Sequence, residues 1–428
     1  MSGNRTYIKI TILTVLIALA LFVFYDANFG KKLISGKLGA ASAADAGSEA
    51  AYAEDSNTVE NTGGLSAGTE TAEQTSAENT EISNENIPSG SIKLEADGKS
   101  TFVAYGKGFM HFTRDGAKFY NNTSSVKWSD SYTMTSPTVV TGGDYSAVVD
   151  ILGKTAKVYN ASGLAYSIQT EDAITNMGLN KNGHSVVVLN GKSDYRVQAY
   201  NASGALKFQR FDEDEGVFPV CADISDNNKV LAVAYIDTSD IEIKSKILFF
   251  YTDKEDSKKT ETNDMFAACE VSDEIIVNIY NMTGDEYVCV SDKRVFAVNS
   301  SGDILWENAA GNRIDRFSFS EEGFVAVAYG DQTVSDSESV EPGTVVILNF
   351  GGKRTGAFAA GGKVDFLYCS PYYTVVSAGN NYYGVKANGK TIWEYSSGQG
   401  AKSIIPLDNS GQALYVTGSY AGTMNMTH

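Results

Sequence analysis

The side chains able to do covalent or metal chemistry are few: four Cys and three His in 428 residues. No two Cys are adjacent, and four in so long a chain do not make a disulfide framework. Cys221 and Cys369 each follow a Phe by three residues, at Phe218 and Phe366, and Cys269 follows Phe266 in the same way. Met177 and Phe317 fall in the same column, so the position reads as apolar and the thiols as buried and unreactive, the innermost strand of a repeated unit being their expected place. Cys289, in Tyr-Val-Cys-Val, reads alike. His111 lies in a strand-like run with no second His or Cys at ligand spacing. His184 sits in an Asn-Gly-His turn and His428 is terminal, so neither is placed as a base. Nucleophile-elbow, Walker and dinucleotide fingerprints are absent from the sequence. The densest acidic run, Asp212-Glu213-Asp214-Glu215-Gly216, lacks the alternating ligand spacing of a calcium loop and reads as a solvated connection. The expectation is a chain without catalytic residues, metal or cofactor.

The elements around these residues follow from composition. Asp and Glu number 52 against 34 Lys and Arg, a net charge of −18, which argues against nucleic acid as a partner. Forty-one Gly, 24 Tyr and 20 Phe beside six Pro point to many short strands joined by tight turns, an all-β fold. Residues 10–25, ITILTVLIALALFVFY, hold no charge, and with Tyr7 and Ile8 approach the length of a spanning helix. The one Ala-x-Ala, at Ala41-Ser42-Ala43, is far downstream, so residues 1–30 read as an uncleaved anchor with a short cytoplasmic leader. Residues 38–92 carry ten acids and no Lys or Arg, with few large apolar groups. Residues 31–90 therefore read as a disordered acidic linker, with a reach on the order of 40 Å.

From residue 91 the sequence repeats. Val158-Tyr159-Asn160-Ala161-Ser162-Gly163, Ala199-Tyr200-Asn201-Ala202-Ser203-Gly204 and Ala297-Val298-Asn299-Ser300-Ser301-Gly302 are the clearest copies. Others end at 124, 254, 352 and 389, a period averaging about 44 residues, that of a four-stranded propeller blade. Asn-x-Ser-Gly supplies hairpin chemistry: a side chain that bonds its own backbone and a residue free to take positive φ. Counting four past the marker reaches Trp128, Trp306 and Trp393, all three Trp of the chain. They are expected at one repeat position, each ring packed against the next blade.

Residues 297–306 (AVNSSGDILW) and 384–393 (GVKANGKTIW) resemble the quinoprotein-type propeller repeat, with Asn or Lys where that repeat has Asp. With the anchor and Ser131-Tyr132-Thr133-Met134-Thr135-Ser136-Pro137, the chain is similar to a family of membrane-anchored, quinoprotein-like propellers of unknown function from Gram-positive bacteria. The resemblance implies a propeller over 91–428. The wider superfamily includes a subunit of the outer-membrane protein assembly machine. Its quinone-dependent dehydrogenases use an adjacent Cys pair, which this chain lacks. Seven markers plus three strands after Gly389 give eight blades if Ser91-Ile92-Lys93-Leu94-Glu95 closes the last one, and seven otherwise. Function is read as a non-enzymatic binding or scaffolding module, single-pass in the cytoplasmic membrane with its C-terminal domain outside, meeting a protein or envelope polymer. The rival is an envelope enzyme acting on glycan or another polar substrate through carboxylates gathered on one propeller face. Polar insertions at 237–244, 253–264, 281–286 and 331–343 are the expected contact loops, weakened by salt.

Overall fold

Strong alternation in short runs, punctuated by Gly and Asn, favours antiparallel strands over helices, and strands are what form. A computed structural model describes residues 91–94, 100–192, 194–252, 265–333, 339–398 and 400–426. The expected anchor (1–30) and linker (31–90), the loop 253–264 and His428 lie outside the described residues.

Eight four-stranded antiparallel sheets make eight propeller blades. Blades 1 to 7 span 101–131, 137–169, 173–212, 217–272, 276–309, 312–359 and 366–396, each a meander whose strands are counted here from first to fourth in chain order. Blade 8 takes its first three strands, Ser403–Pro406, Gln412–Val416 and Tyr420–Asn425, from the end of the chain and its fourth, Ile92–Lys93, from the start. Ile92 is set against Ala421 and Lys93 against Tyr420. Of the two blade counts open in the sequence, eight is the one observed.

The core is a ring of eight apolar clusters, one at each junction between neighbouring blades. The second strand of blade 4, Val230–Asp237, shows how a strand feeds two of them. Val230, Ala232 and Ala234 face blade 5, while Leu231, Val233 and Tyr235 face blade 3. Burial on both sides explains why such runs are apolar throughout instead of alternating. The junction of blades 8 and 1, with Leu414 and Val416 against Phe102 and Phe109, closes the circle.

The marker turns join third to fourth strands. The Asn201 carboxamide oxygen accepts from the amides of Ser203 and Ala205, at 3.1 and 2.9 Å, and Gly204 takes φ +79°. Asn299 repeats the arrangement with Ser301 and Asp303. Gly302 adds a second demand: a Cβ there would stand 2.3 Å from the Ala268 carbonyl oxygen of blade 4.

Two expectations about blade boundaries are corrected. Residues 265–272 are the fourth strand of blade 4, paired with its third strand, Lys244–Tyr251. Cys269 therefore does not share the innermost column of Cys221 and Cys369. The segment 281–286 is no insertion either, since Thr283 pairs with Glu286 across a two-residue hairpin. Marker spacing misassigned the extra length because the long connection 253–264 follows its own marker. Blade 5 is compact, and the added residues belong to blades 4 and 6.

Candidate functional site

In a meander, connections alternate between the two ends of the ring. The turns joining first to second and third to fourth strands share one face, termed the turn face here. The turns joining second to third strands, and the links between blades, share the other, the link face. Among the described connections, the link face carries fourteen Asp and Glu against six Lys and Arg, and the turn face seven against six. The charge excess of the ring is therefore one-sided. The loop 238–243 in blade 4 and the described ends of the blade 6 connection, 333 and 339–343, lie on the acidic link face, on either side of blade 5.

Many link-face acids are already engaged. Arg196 bridges Asp194 at 3.0 Å, Asp172 at 3.0 Å and Glu171 at 2.9 Å. Arg294 reaches Glu274 at 2.5 Å and also meets Glu307. Lys246 holds the Asp237 carboxyl down at about 2, chiefly by a 2.6 Å hydrogen bond. Glu213, Asp214 and Glu215, by contrast, are exposed.

The axis is occupied at its turn-face mouth. The Gly143 amide of blade 2 donates to the Glu321 carboxylate of blade 6 at 2.9 Å, a bond between opposite members of an eight-membered ring. Tyr280 of blade 5 stacks on Phe319 of blade 6, centroids 4.6 Å apart. Burial, then the Glu321 charge, pushes the Tyr280 and Tyr368 hydroxyls far above their usual range. Beside them a polar lattice ties blades 3, 4 and 5. Lys181 pairs with Asp226, the Asp226 amide donates to Asn281 at 2.9 Å, and Asn227 donates to Asp285 at 2.8 Å. Asp223 is buried there with its oxygens accepting from the Ile224 and Asn281 amides, at 2.9 and 2.8 Å. Burial raises its pKa to about 7 against the pull of those amides. Carboxylates of three blades thus approach one another, each already holding a protein partner. Among the described residues no three His, Cys, Asp or Glu are grouped to hold a metal.

Two of the clefts formed by the described residues open on the turn face. One, about 540 Å³, is lined by Tyr105, Asp144, Tyr145, Asn160, Lys181 and Asn182 among others. The other, about 340 Å³, lies on blade 8.

Trp128, Trp306 and Trp393 each occupy the third position of a fourth strand, in blades 1, 5 and 7. Trp128 stacks on Tyr159 of blade 2 at 5.2 Å, and Trp306 donates its indole N–H to the Phe350 carbonyl of blade 6 at 2.8 Å. Trp393 is the most buried, at 4% exposure, and meets Tyr373 of its own blade edge-on at 5.9 Å. Blade 8 has no third-to-fourth turn for it to cover. Tyr166 and Phe208 fill the matching position in blades 2 and 3, a signal present in the sequence as an aromatic three or four residues past the marker. Blade 6 has Gly356 there, and a Cβ would stand 2.3 Å from Asn388 and Gly389. Ring size and turn approach thus compensate around the propeller.

All four thiols are free and buried. Cys221 and Cys369 lie in first strands, and Cys221, Cys269 and Cys289 share the cluster between blades 4 and 5. Burial raises the thiols, Cys221 to about 12 and Cys369 to about 11. His111 is buried too, its Nε2 3.0 Å from the Ser100 hydroxyl and its ring stacked on Phe102 at 4.2 Å. Burial, with Lys118 adding, lowers its pKa to about 4.

The sequence matches the profile of a family of unknown function (DUF5711) over residues 81–426. The chain belongs to that family. A search of curated proteins by sequence gives no match. Among solved structures this DUF5711 chain is similar to BamB from Moraxella catarrhalis, with 11% identity and a TM-score of 0.45, covering 78% of this chain and 98% of that one. A crystal structure of a eukaryotic initiation factor matches with 13% identity and a TM-score of 0.49, covering 80% and 87%. The Pan2 WD40 domain of Neurospora crassa matches with 9% identity and a TM-score of 0.42, covering 77% and 92%.

Proposed function

We propose that this DUF5711 chain is a non-enzymatic binding or scaffolding module, anchored in the cytoplasmic membrane through residues 1–30 and displayed outside it on the linker 31–90. The observation that carries the binding reading is the bridged axial mouth, where the Gly143 amide donates to the Glu321 carboxylate across the ring. With that mouth occupied by protein, recognition passes to the loops and edges of a rigid ring. The rival envelope enzyme needs carboxylates free to act in a cleft. Those at the mouth are held by amides or a lysine, and the larger cleft is lined by a single carboxylate, Asp144.

The link face fits a partner with basic groups, because its acids exceed its bases by eight and opposite charge steers association. The two loops flanking blade 5 are the expected contact. The test is capture of a binding partner by the full chain and by variants in which 238–243 and 333–343 are each replaced by Gly-Ser. Preserved folding with lost capture, and capture that fades as salt rises, supports the reading. Capture unchanged by trimming and by salt rejects the link face and directs attention to the turn-face clefts.

A further inference from the structure

Three neighbouring blades carry an exposed aliphatic side chain at the same place. Val126, Leu164 and Leu206 each stand at the turn-face end of a fourth strand, opposite Tyr120, Tyr159 and Tyr200 of the third strand, where the pairing register shifts. They are 53%, 45% and 49% exposed. Period two puts them on the strand side that also carries Trp128, Tyr166 and Phe208, so each aliphatic residue lies beyond an interblade ring, at the rim. Ile304 of blade 5 repeats the position, opposite Val298. Exposed aliphatic side chains scattered singly are ordinary. One at the same register position in three successive blades is a stripe.

The charge around the stripe is opposite in sign to that of the link face. Every turn-face connection of blades 1 to 3 is described, and these connections with the strand starts beside them hold Lys107, Lys127, Lys181 and Lys207 against one carboxylate, Asp144. Lys181 is held by Asp226 of blade 4. Lys107, Lys127 and Lys207 are exposed and enter no ion pair among the described residues. Tyr105 and Tyr145 line the cleft of about 540 Å³ in the same sector, and the Tyr105 hydroxyl donates to the Asp144 carbonyl at 2.7 Å. The marker turns between them are uncharged.

We propose that the turn-face rim of blades 1 to 3 lies against the surface of an anionic lipid bilayer, which holds the ring with its acidic link face turned away. This rests on the reading of residues 1–30 as an anchor. Aliphatic side chains suit the acyl boundary, tyrosines the headgroup level and unpaired lysines the lipid phosphates. An acidic protein surface would satisfy the lysines but set Val126, Leu164 and Leu206 against charge. The carboxylates of the link face do not oppose the contact, because strands of about six residues hold the faces roughly 20 Å apart, about two Debye lengths at physiological salt. An anchor that keeps the domain beside the bilayer makes the contact intramolecular, so a few side chains suffice.

An anchored chain floats with vesicles in any orientation, so the test reads orientation. The full chain, whose four native thiols are buried, is labelled with a fluorophore at Leu164→Cys or at Leu152→Cys, an exposed residue in a link-face turn of the same blade. Each is reconstituted into phosphatidylcholine vesicles with roughly a third phosphatidylglycerol and a headgroup spin label as quencher. Quenching at 164 should exceed that at 152 by about threefold or more. Lys107→Glu, Lys127→Glu and Lys207→Glu together, or about 0.5 M salt, should remove most of the difference. If Leu164→Cys fails to fold, Val126→Cys gives the same reading in blade 1. Equal quenching at the two sites in a chain that floats would overturn the docking and leave the anchor reading standing. A chain that does not float would overturn both. A difference that survives in phosphatidylcholine alone and in the lysine variant would also overturn the proposal, because the surface met would then not be an anionic one.

Discussion

Two buried titratable side chains set opposing pH dependences. His111, lowered from 6.5 to about 4, contributes stability present above pH 6.5 and lost as pH falls toward 4. Asp223, raised from 3.8 to about 7, contributes stability present below pH 3.8 and lost as pH rises toward 7. Each effect is on the order of 3 to 4 kcal/mol and they nearly cancel between pH 4 and 6.5. Urea midpoints should expose the halves: His111→Phe loses stability as pH rises through this window, and Asp223→Asn gains it. Parallel profiles for wild type and both variants would show that neither group titrates as its surroundings dictate. Trp393→Ala should cost about 3 to 5 kcal/mol, the range for a buried Trp. Trp128→Ala and Trp306→Ala, half-buried, should cost less, and equal losses at all three would contradict their different surroundings. The Trp positions were legible because a large ring four residues past a turn is a local signal. Their unequal partners were not, since they depend on what the next blade offers.

Strands and turns were legible for a similar reason, because Asn-x-Ser-Gly and all-apolar second strands are local chemistry. The boundary of blade 4 was not. Met265–Ser272 carries the same Phe-x-x-Cys spacing as first strands, and only pairing with Lys244–Tyr251 shows it to be a fourth strand. The compensation between ring size and turn approach predicts that Gly356→Ala, which would push a Cβ to 2.3 Å from the backbone of the next blade's turn, lowers stability by about 2 kcal/mol or more. A calorimetric shift within error would mean that the turn at Asn388 and Gly389 yields freely. At blade 8, removing residues 1–94 deletes the fourth strand and its packing of Ile92 and Leu94. The truncated domain should melt lower and aggregate through the bared edge of Tyr420–Asn425, as light scattering during a thermal ramp would record.

At the scale of the whole ring, eight junctions share one closed circuit, so unfolding should be cooperative, with opposite blades coupled through Glu321 and Gly143. Glu321→Ala should speed exchange of the Gly143 amide while costing only about 1 kcal/mol of stability, since the carboxylate is exposed. An unchanged Gly143 rate would deny that the bond persists in solution. Circular closure was legible from three strands at one end and a spare at the other. The one-sided charge was not, because which turns share a face follows from strand order, not from the loops' own composition. The short closing strand also has a mechanical meaning. Among the described residues the closing strand is paired to the ring through Ile92, Lys93 and the Leu94 amide, so tension arriving from the N-terminal side loads that seam of blade 8 first. Under force that strand is the fuse: it would detach before any blade yields, baring the outer edge of Tyr420–Asn425 while the other seven blades keep their shape.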